Sequence, residues 1–584
     1  MGMKVLHVTN IAQNAYINAL ILNARGHDCD VLALDLYHVG SSPEWYELQD
    51  AEIDTASLGG DAFFPNFYAL GRDMPRIGDW VAHGPTYMAL RYLILKRRGD
   101  PRAYTALSTL SYLRFKATIQ RTTNPFAAVI GDEEFTALLG QYDLHPYLRC
   151  RISAGRLSER YFEWIRGRIA LQLPAQRVSA LAPPLAQGML DHYFAKDPTL
   201  EGVVRGLRAR GLSEALGIEF EGPLMEYAHL ERHGFGVAEI APYCVFGRIW
   251  RDLASHYDAC VFYADSSVFA LAAGIEGYHA LEHGTIRSIP FEPTTHGRLV
   301  AKAFLNARRV FLTNTDYSTA KPRLEFTPEQ RVYSPHPFDE APALDLRRAH
   351  IRQQDPHRVV FFCPARQDWQ SGDPKMAKGN DRYFHAARWL LDEGRANFVM
   401  RCIDWGVDRD ATLQLIEDLG LTDHVSWTSL MTKRKLWAAM LDSDAVIDQF
   451  MISGFGGITF EALALGCRII SRDDGVNNGV FFEEPPPILS AETAEEIASR
   501  MAAVLNDPED LAGLGEKGTA WVRKYHSAER IHELQMAAFG GLASRGLNDT
   551  AELEIPRLPC ETEAPRGGAG ARQIGIDDRI SSLG

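Results

Sequence analysis

Residues 453–470, SGFGGITFEALALGCRII, limit the fold more tightly than any other stretch of the chain. Gly456-Gly457 opens a short apolar helix carrying one carboxylate, Glu461; Gly466 closes it, and 467–470 reads as a buried strand. Helix and buried strand joined through one glycine is the unit of an α/β layer. Glycines at a helix start let a phosphate approach free backbone N–H groups, where the helix dipole favours negative charge. Glu461 near that anion site would suit hydroxyls. A nucleotide sugar carries both. A plain helix start fits the stretch too, since a Glu one turn in also complements the dipole.

The alternation recurs along the chain. Residues 4–9 read as a first buried strand, 14–25 as a helix capped by Gly26, and 29–34 as a second strand, a βαβ opening that implies a parallel sheet. From about 40 to 240 the segments are helix-like and aromatic-rich with few clear strands, too long for a loop, and read as an inserted subdomain or lid. Strands return at 259–263, 278–281 and 310–313, with a helix-like stretch at 297–307. In the joint SPHPFDEAP, Pro335, Pro337 and Pro342 disfavour helix continuation. A second series follows, with strands at 358–363, 398–402, 425–427, 445–448 and 468–470. Helices alternate near 381–394, 409–419 and 432–441, and late helices run at about 492–505 and 527–540. The expected architecture is α/β: two Rossmann-like domains, 1–330 and 331–545, facing across a cleft, with the mainly helical insertion in the first and a disordered tail at 546–584. Ligands of such halves sit at the strand carboxyl ends.

Composition narrows the partners. A formal charge of −14 argues against a general nucleic-acid or anionic-membrane binder. Eight cysteines, scattered singly without a CxxC pair, read as reduced cytoplasmic thiols. The opening run at Met3-Lys4-Val5-Leu6 is too short for a signal peptide, and no stretch reaches the ~18–20 apolar residues of a membrane span. The nearest thing to a membrane-surface helix is 83–119, where Tyr87, Leu90, Tyr92, Leu93 and Leu95 precede Lys96-Arg97-Arg98. A solvated helix end explains that pattern more simply, so peripheral membrane contact stays a secondary expectation.

Arg366 and Lys378 lie in the loop between the strand at 358–363 and the next helix. Two cations there would neutralise a diphosphate and stabilise it as a leaving group. Each candidate follows a predicted strand, which places it at the crevice. Asp265 follows the 259–263 strand and reads equally as a helix N-cap.

In these motifs residues 358–525 resemble the donor-binding half of a GT-B glycosyltransferase, specifically the retaining group called family 4. The matching features are the strand then Arg366, Lys378-Gly379, the helix at Asp381, and the glycine loop leading to Glu461-Ala462 and Gly466. The opening strand, Arg25-Gly26-His27 and Glu282-His283-Gly284-Thr285 resemble the acceptor-side half. The resemblance implies that Arg366 and Lys378 hold the donor diphosphate, Glu461 the ribose hydroxyls, and the N–H groups near Gly456 and Gly457 the sugar or phosphate. His283 would approach the transferred sugar. It implies no cofactor and no metal, with the nucleotide-diphosphate sugar as donor substrate.

Two departures stand out. The family places a second glutamate eight residues before Glu461, where this chain has Ser453. A hydroxyl still hydrogen-bonds a sugar but carries no charge. Asp448-Gln449 ends the preceding strand, and Asp448 is expected to take over part of the sugar recognition. The loop Asn10-Ile-Ala-Gln-Asn14 lacks the family's paired glycines; Asn10, Gln13 or Asn14 would supply hydrogen bonds or simply turn chemistry.

The expected function is transfer of a sugar from a nucleotide-diphosphate sugar to a glycan, lipid-linked or small-molecule hydroxyl, with retention, in polysaccharide biosynthesis. Ser453 favours an alternative, a catalytically silent nucleotide-sugar binder acting through its insertion. A remote alternative is a zinc metalloprotease, since His279-Ala-Leu-Glu282-His283 matches H-x-x-E-H. That motif needs one stable helix, and Gly277 and Gly284 bracket too short a segment. Asp408-Arg-Asp410 and Asp442-Ser-Asp444, two D-x-D triplets, read as helix caps. The base, donor sugar, acceptor and oligomeric state are not legible in the sequence.

Overall fold

The computed structural model describes residues 2–33, 39–49, 51–53, 77–84, 86–119, 247–371 and 377–540, with short gaps at 85, 319, 321, 354–356, 453–454, 507–510 and 512, plus 75, 150–152, 218–220 and 235. Most of the expected insertion, the tail and Ser453 lie outside these residues.

Two parallel sheets organise the described chain. The N-terminal sheet runs Arg331–Tyr333, Arg309–Leu312, His279–Leu281, Ala259–Tyr263, Lys4–Val8, Asp28–Ala33, Val81–His83. The C-terminal sheet runs Val425–Thr428, Phe398–Ile403, Val359–Cys363, Ala445–Ile447, Ile469–Ser471, Leu489–Ser490. All pairings within both are parallel. Such strands are buried on both faces, which explains their continuous apolar runs. In Val359–Cys363, Phe361 and Cys363 pack with the Asn380–Asp392 helix while Phe362 enters a separate core beside Trp437 and Phe460. Strand order reverses between Lys4–Val8 and Ala259–Tyr263, and between Val359–Cys363 and Ala445–Ile447. Those reversals are where crevices open in doubly wound sheets.

Three local readings change. Val81–His83 completes the N-terminal sheet inside the range assigned to the insertion, because a three-residue strand is too short to show periodicity. The helix Thr86–Arg97 buries Leu90, Tyr92, Leu93 and Leu95 in the N-terminal core, so those side chains are covered. Its basic end also bonds inward: Lys96 and Arg97 bind Asp30 at 2.8 and 2.7 Å and Arg97 also binds Asp28, while Arg98, bound to Asp252 at 2.6 Å, stays exposed as a solvated helix end would. Pro342 sits at the third position of the helix Glu340–Ala349, where its missing N–H costs nothing, and Asp339 caps that helix.

The two halves touch at named points. Glu52–Ile53 pairs antiparallel with Leu430–Met431, and Lys435 binds Glu52 at 2.9 Å. The helix Ala528–Gly540 returns to the N-terminal half, where Ala538 and Phe539 pack with Val5 and Tyr16, and Gln535 Nε2 donates to Asn18 Oδ1 at 2.8 Å. Among the described residues no helix is long and apolar enough to cross a membrane.

Candidate functional site

In the C-terminal half the site begins where Val359–Cys363 ends. Arg366 Nε donates to Asp368 Oδ2 at 3.0 Å. The loop carrying them is fixed from several sides. Asp368 N–H donates to Asn380 Oδ1 at 2.9 Å, and Lys378 N–H to the Asp368 carbonyl at 2.6 Å. The Asp408 carboxylate accepts N–H bonds from Trp369, Gln370 and Ser371 at 2.6, 2.7 and 3.1 Å. Asp408 thus ties the loop instead of capping its own helix, Arg409–Asp418. Gly406, at φ 124, lies so close that a Cβ there would sit 2.3 Å from the Gln367 carbonyl oxygen. The other triplet is also a brace: Asp442 accepts from Gln353 N–H at 2.8 Å and Asp444 from Val360 N–H at 2.8 Å.

Lys378 reaches across the sheet reversal and donates through Nζ to Gln449 Oε1. Burial pushes its amine down to about 8; Asp448 opposes that shift, while the charges of Arg366 and Arg287 add to it. Asp448 is buried and accepts Thr459 Oγ1 at 2.8 Å. Burial raises its carboxyl above the usual range, with Lys378 and Thr459 pulling the other way and Glu461 adding to the rise. Gly456 precedes the helix Gly457–Ala464; a Cβ on it would lie 3.7 Å from Asp448 Oδ2. Lys378, Asp448, Gln449 and the glycine-led helix start therefore meet at one place, with the Arg366 charge acting on it. Glu461, on that helix, is buried and already engaged: Lys433 Nζ lies 2.5 Å from Oε1 and Trp437 Nε1 donates to Oε2 at 2.8 Å.

The N-terminal half contributes from its own reversal. Asn14 Nδ2 lies 3.0 Å from His283 Nδ1 and 3.4 Å from His336 Nδ1. An amide nitrogen only donates, so both imidazoles accept through Nδ1 and keep their proton on Nε2. Burial holds His283 down at about 4, helped by the Arg287 charge, so it is neutral near pH 7. The His283 and His336 rings meet edge-on at 5.1 Å, and His336 stacks toward Phe460 of the glycine-led helix at 6.2 Å. The loop before His283 is set by Glu282, whose carboxylate accepts N–H bonds from Gly284 at 2.7 Å and Asn314 at 2.8 Å.

Asn10 is turned into its own loop, donating to Gln13 Oε1 and the Ser41 carbonyl, both at 2.9 Å, and accepting Tyr16 N–H at 3.0 Å. It braces the loop, which is the turn chemistry reading. That loop takes left-handed backbone without glycine: Thr9, Ala12 and Gln13 have φ of 75, 48 and 63, and Ala264 across the reversal has 52. Among the described residues these are the non-glycine residues with positive φ, and strain of this kind gathers at functional clefts. Asp265 is exposed and lies 3.4 Å from His296, so it neither caps nor joins the cluster above.

His279 begins the strand His279–Leu281 with its ring beside Phe311 and Phe539, while His283 follows in the loop, so the two do not share a helix face. Among the described residues no group of three or more His, Cys, Asp or Glu could hold a metal ion. Arg287, His336 and Lys433 are the site residues that motif reading missed. His336 sits in the proline-rich joint, and only its alternation with Pro335 and Pro337 hinted at a chain held extended across the cleft.

Among curated proteins, none matches the chain by sequence. Among solved structures, HepE of Anabaena in complex with UDP and glucose is similar at 15% identity and a TM-score of 0.40, over 52% of this chain and 83% of its own. Sucrose-phosphate synthase of Thermosynechococcus elongatus is similar at 15% identity and 0.38, over 51% and 77%. A glycosyltransferase of Rickettsia africae is similar at 13% identity and 0.39, over 52% and 81%. Two facing doubly wound halves make this a GT-B architecture, and over residues 372–521 the chain matches the family described as Glycosyl transferases group 1.

Proposed function

We propose that the protein transfers a glycosyl group from a nucleotide-diphosphate sugar to an acceptor hydroxyl, with retention and without a metal. What supports this reading is that Lys378 and the Gly456-Gly457 helix start meet beside Asp448 and Gln449 at the reversal of the C-terminal sheet, with Arg366 in the same strand-to-helix loop as Lys378. Charge develops on the diphosphate as the bond to the anomeric carbon breaks, and two fixed cations with a helix N-terminus oppose it there. The acceptor oxygen attacks from the face the diphosphate leaves, and its proton passes to a diphosphate oxygen. Neutral His283 would donate Nε2–H to the sugar. Asp448, Gln449 and Ser453 would take the remaining sugar hydroxyls, and Glu461 the ribose. Buried, unpaired cysteines such as Cys29, Cys260, Cys363 and Cys402 accord with a cytoplasmic setting.

The acceptor in this reading is a hydroxyl of a glycan, a lipid-linked sugar or a small molecule. Ser453 motivates a second one, a nucleotide-sugar binder without turnover. Purified protein should be mixed with a panel of nucleotide-diphosphate sugars, following thermal shift and release of nucleoside diphosphate. Shift with release supports transfer or its hydrolytic shadow; shift without release supports the binder; neither with any donor removes both.

A further inference from the structure

The N-terminal half carries a cation that the family-type site leaves unassigned. Arg287 closes the turn Thr285–Arg287, directly after His283. Its Nε donates to Asp316 Oδ2 at 2.7 Å and its Nη2 to Asn314 Oδ1 at 3.2 Å. Asn314 is in turn gripped by Glu282 Oε1, through N–H at 2.8 Å and Nδ2 at 2.7 Å. The same buried glutamate thus sets both the His283 loop and the arginine beyond it. Gly284, at φ 81, backs onto the guanidinium, since a Cβ there would lie 3.2 Å from Nη1.

Arg366 has the same build in the other half. Its Nε is held by Asp368, as the Nε of Arg287 is held by Asp316, and each arginine follows an interior strand of its sheet. An aspartate on Nε fixes the plane of a guanidinium and turns its remaining N–H bonds one way. Four residues before Arg287, His283 meets the His336 ring at 5.1 Å, and His336 stacks toward Phe460 of the glycine-led helix at 6.2 Å, which sets the Arg287 turn beside the cleft. Burial is the main cause of the lowered values of His283, His336 and Lys378, and the Arg287 charge adds to each. Each half thus carries an aspartate-held arginine after an interior strand of its sheet.

We propose that Arg287 is a catalytic residue that binds the donor diphosphate from the N-terminal wall, opposite Arg366 and Lys378. Leaving-group stabilisation is then complete only with both halves in place, which couples closure to chemistry. The proposal rests on the glycosyl-transfer reading above.

The test uses the full chain, R287A and R287K, with inorganic pyrophosphate as a base-independent probe by calorimetry and donor turnover as the kinetic readout. R287A is expected to bind pyrophosphate about tenfold more weakly. Its kcat should fall about a hundredfold, a loss beyond its effect on KM. R287K keeps the charge but not the fork, so it should recover most pyrophosphate affinity while kcat stays about tenfold low. If R287A fails to fold, R287K alone decides the matter through its kcat. Pyrophosphate affinity and kcat unchanged in a folded variant, or a rise in acceptor KM alone, would overturn the assignment. Wild-type protein that binds pyrophosphate but turns over no donor would instead sink the transfer reading and leave the Arg287 binding result standing.

Discussion

Trp437 Nε1 donates a hydrogen bond to Glu461 Oε2 at 2.8 Å, from the helix packed beside the glycine-led one. With Lys433 on the other oxygen, the carboxylate is fixed before any ligand arrives. Glu461→Gln keeps one acceptor and places an amide donor against a donor. It should destabilise the fold by about 1–3 kcal/mol and weaken nucleoside diphosphate binding. Thermal melts with and without ligand check both. A fall in melting temperature with unchanged affinity would make Glu461 purely structural.

The amine of Lys378 titrates near 8, within the working range of an enzyme. Its protonated form is the one that opposes diphosphate charge, so donor affinity should fall as pH rises through about 8. The stability linkage runs the other way. The folded pKa lies below the unfolded value of about 10.4, so the unfolded chain binds more protons between the two and stability rises with pH across that window. A pH series of pyrophosphate affinity should show the alkaline fall in wild-type protein and lose it in Lys378→Ala. The fall persisting in that variant would assign it elsewhere.

Asp408 holds three successive loop N–H groups in front of Arg366. Asp408→Ala leaves those donors without their acceptor and should cost about 1–3 kcal/mol. It should also lower kcat/KM, because a misplaced arginine loses transition-state contact. Asp408→Asn, which retains an acceptor oxygen, should recover part of both. Equal losses in the two variants would show that charge, rather than loop anchoring, matters.

Ala12 is exposed yet left-handed, at φ 48. Glycine adopts that backbone freely, so Ala12→Gly should stabilise the protein by up to about 1 kcal/mol despite the added chain entropy. Chemical denaturation reads this directly, and a destabilised variant would mean that the methyl makes a contact worth more than the strain.

Apolar runs of five residues, such as 259–263 and 359–363, announced their strands because parallel sheets bury both faces. Val81–His83 carried no such signal, being three residues long. Arg366, Lys378, Asp448 and Gly456 were legible because each follows or precedes a strand in a recognisable order. The partners of Glu461 were not, since Lys433 and Trp437 lie a helix away in sequence. Pairing of Glu52–Ile53 with Leu430–Met431 joins residues nearly four hundred positions apart, and no local pattern encodes it. His336 was hidden for the same reason: the rings it meets, His283 and Phe460, lie far from it in sequence.

Release of nucleoside diphosphate by wild-type, Arg366→Ala and Lys378→Ala protein, across a panel of nucleotide-diphosphate sugars, addresses the site most directly. Turnover of at least one donor, with kcat/KM lowered by about 2–4 kcal/mol equivalent in each variant, is the expected result. Wild-type turnover that survives unchanged in both variants would contradict a crevice built around those two cations.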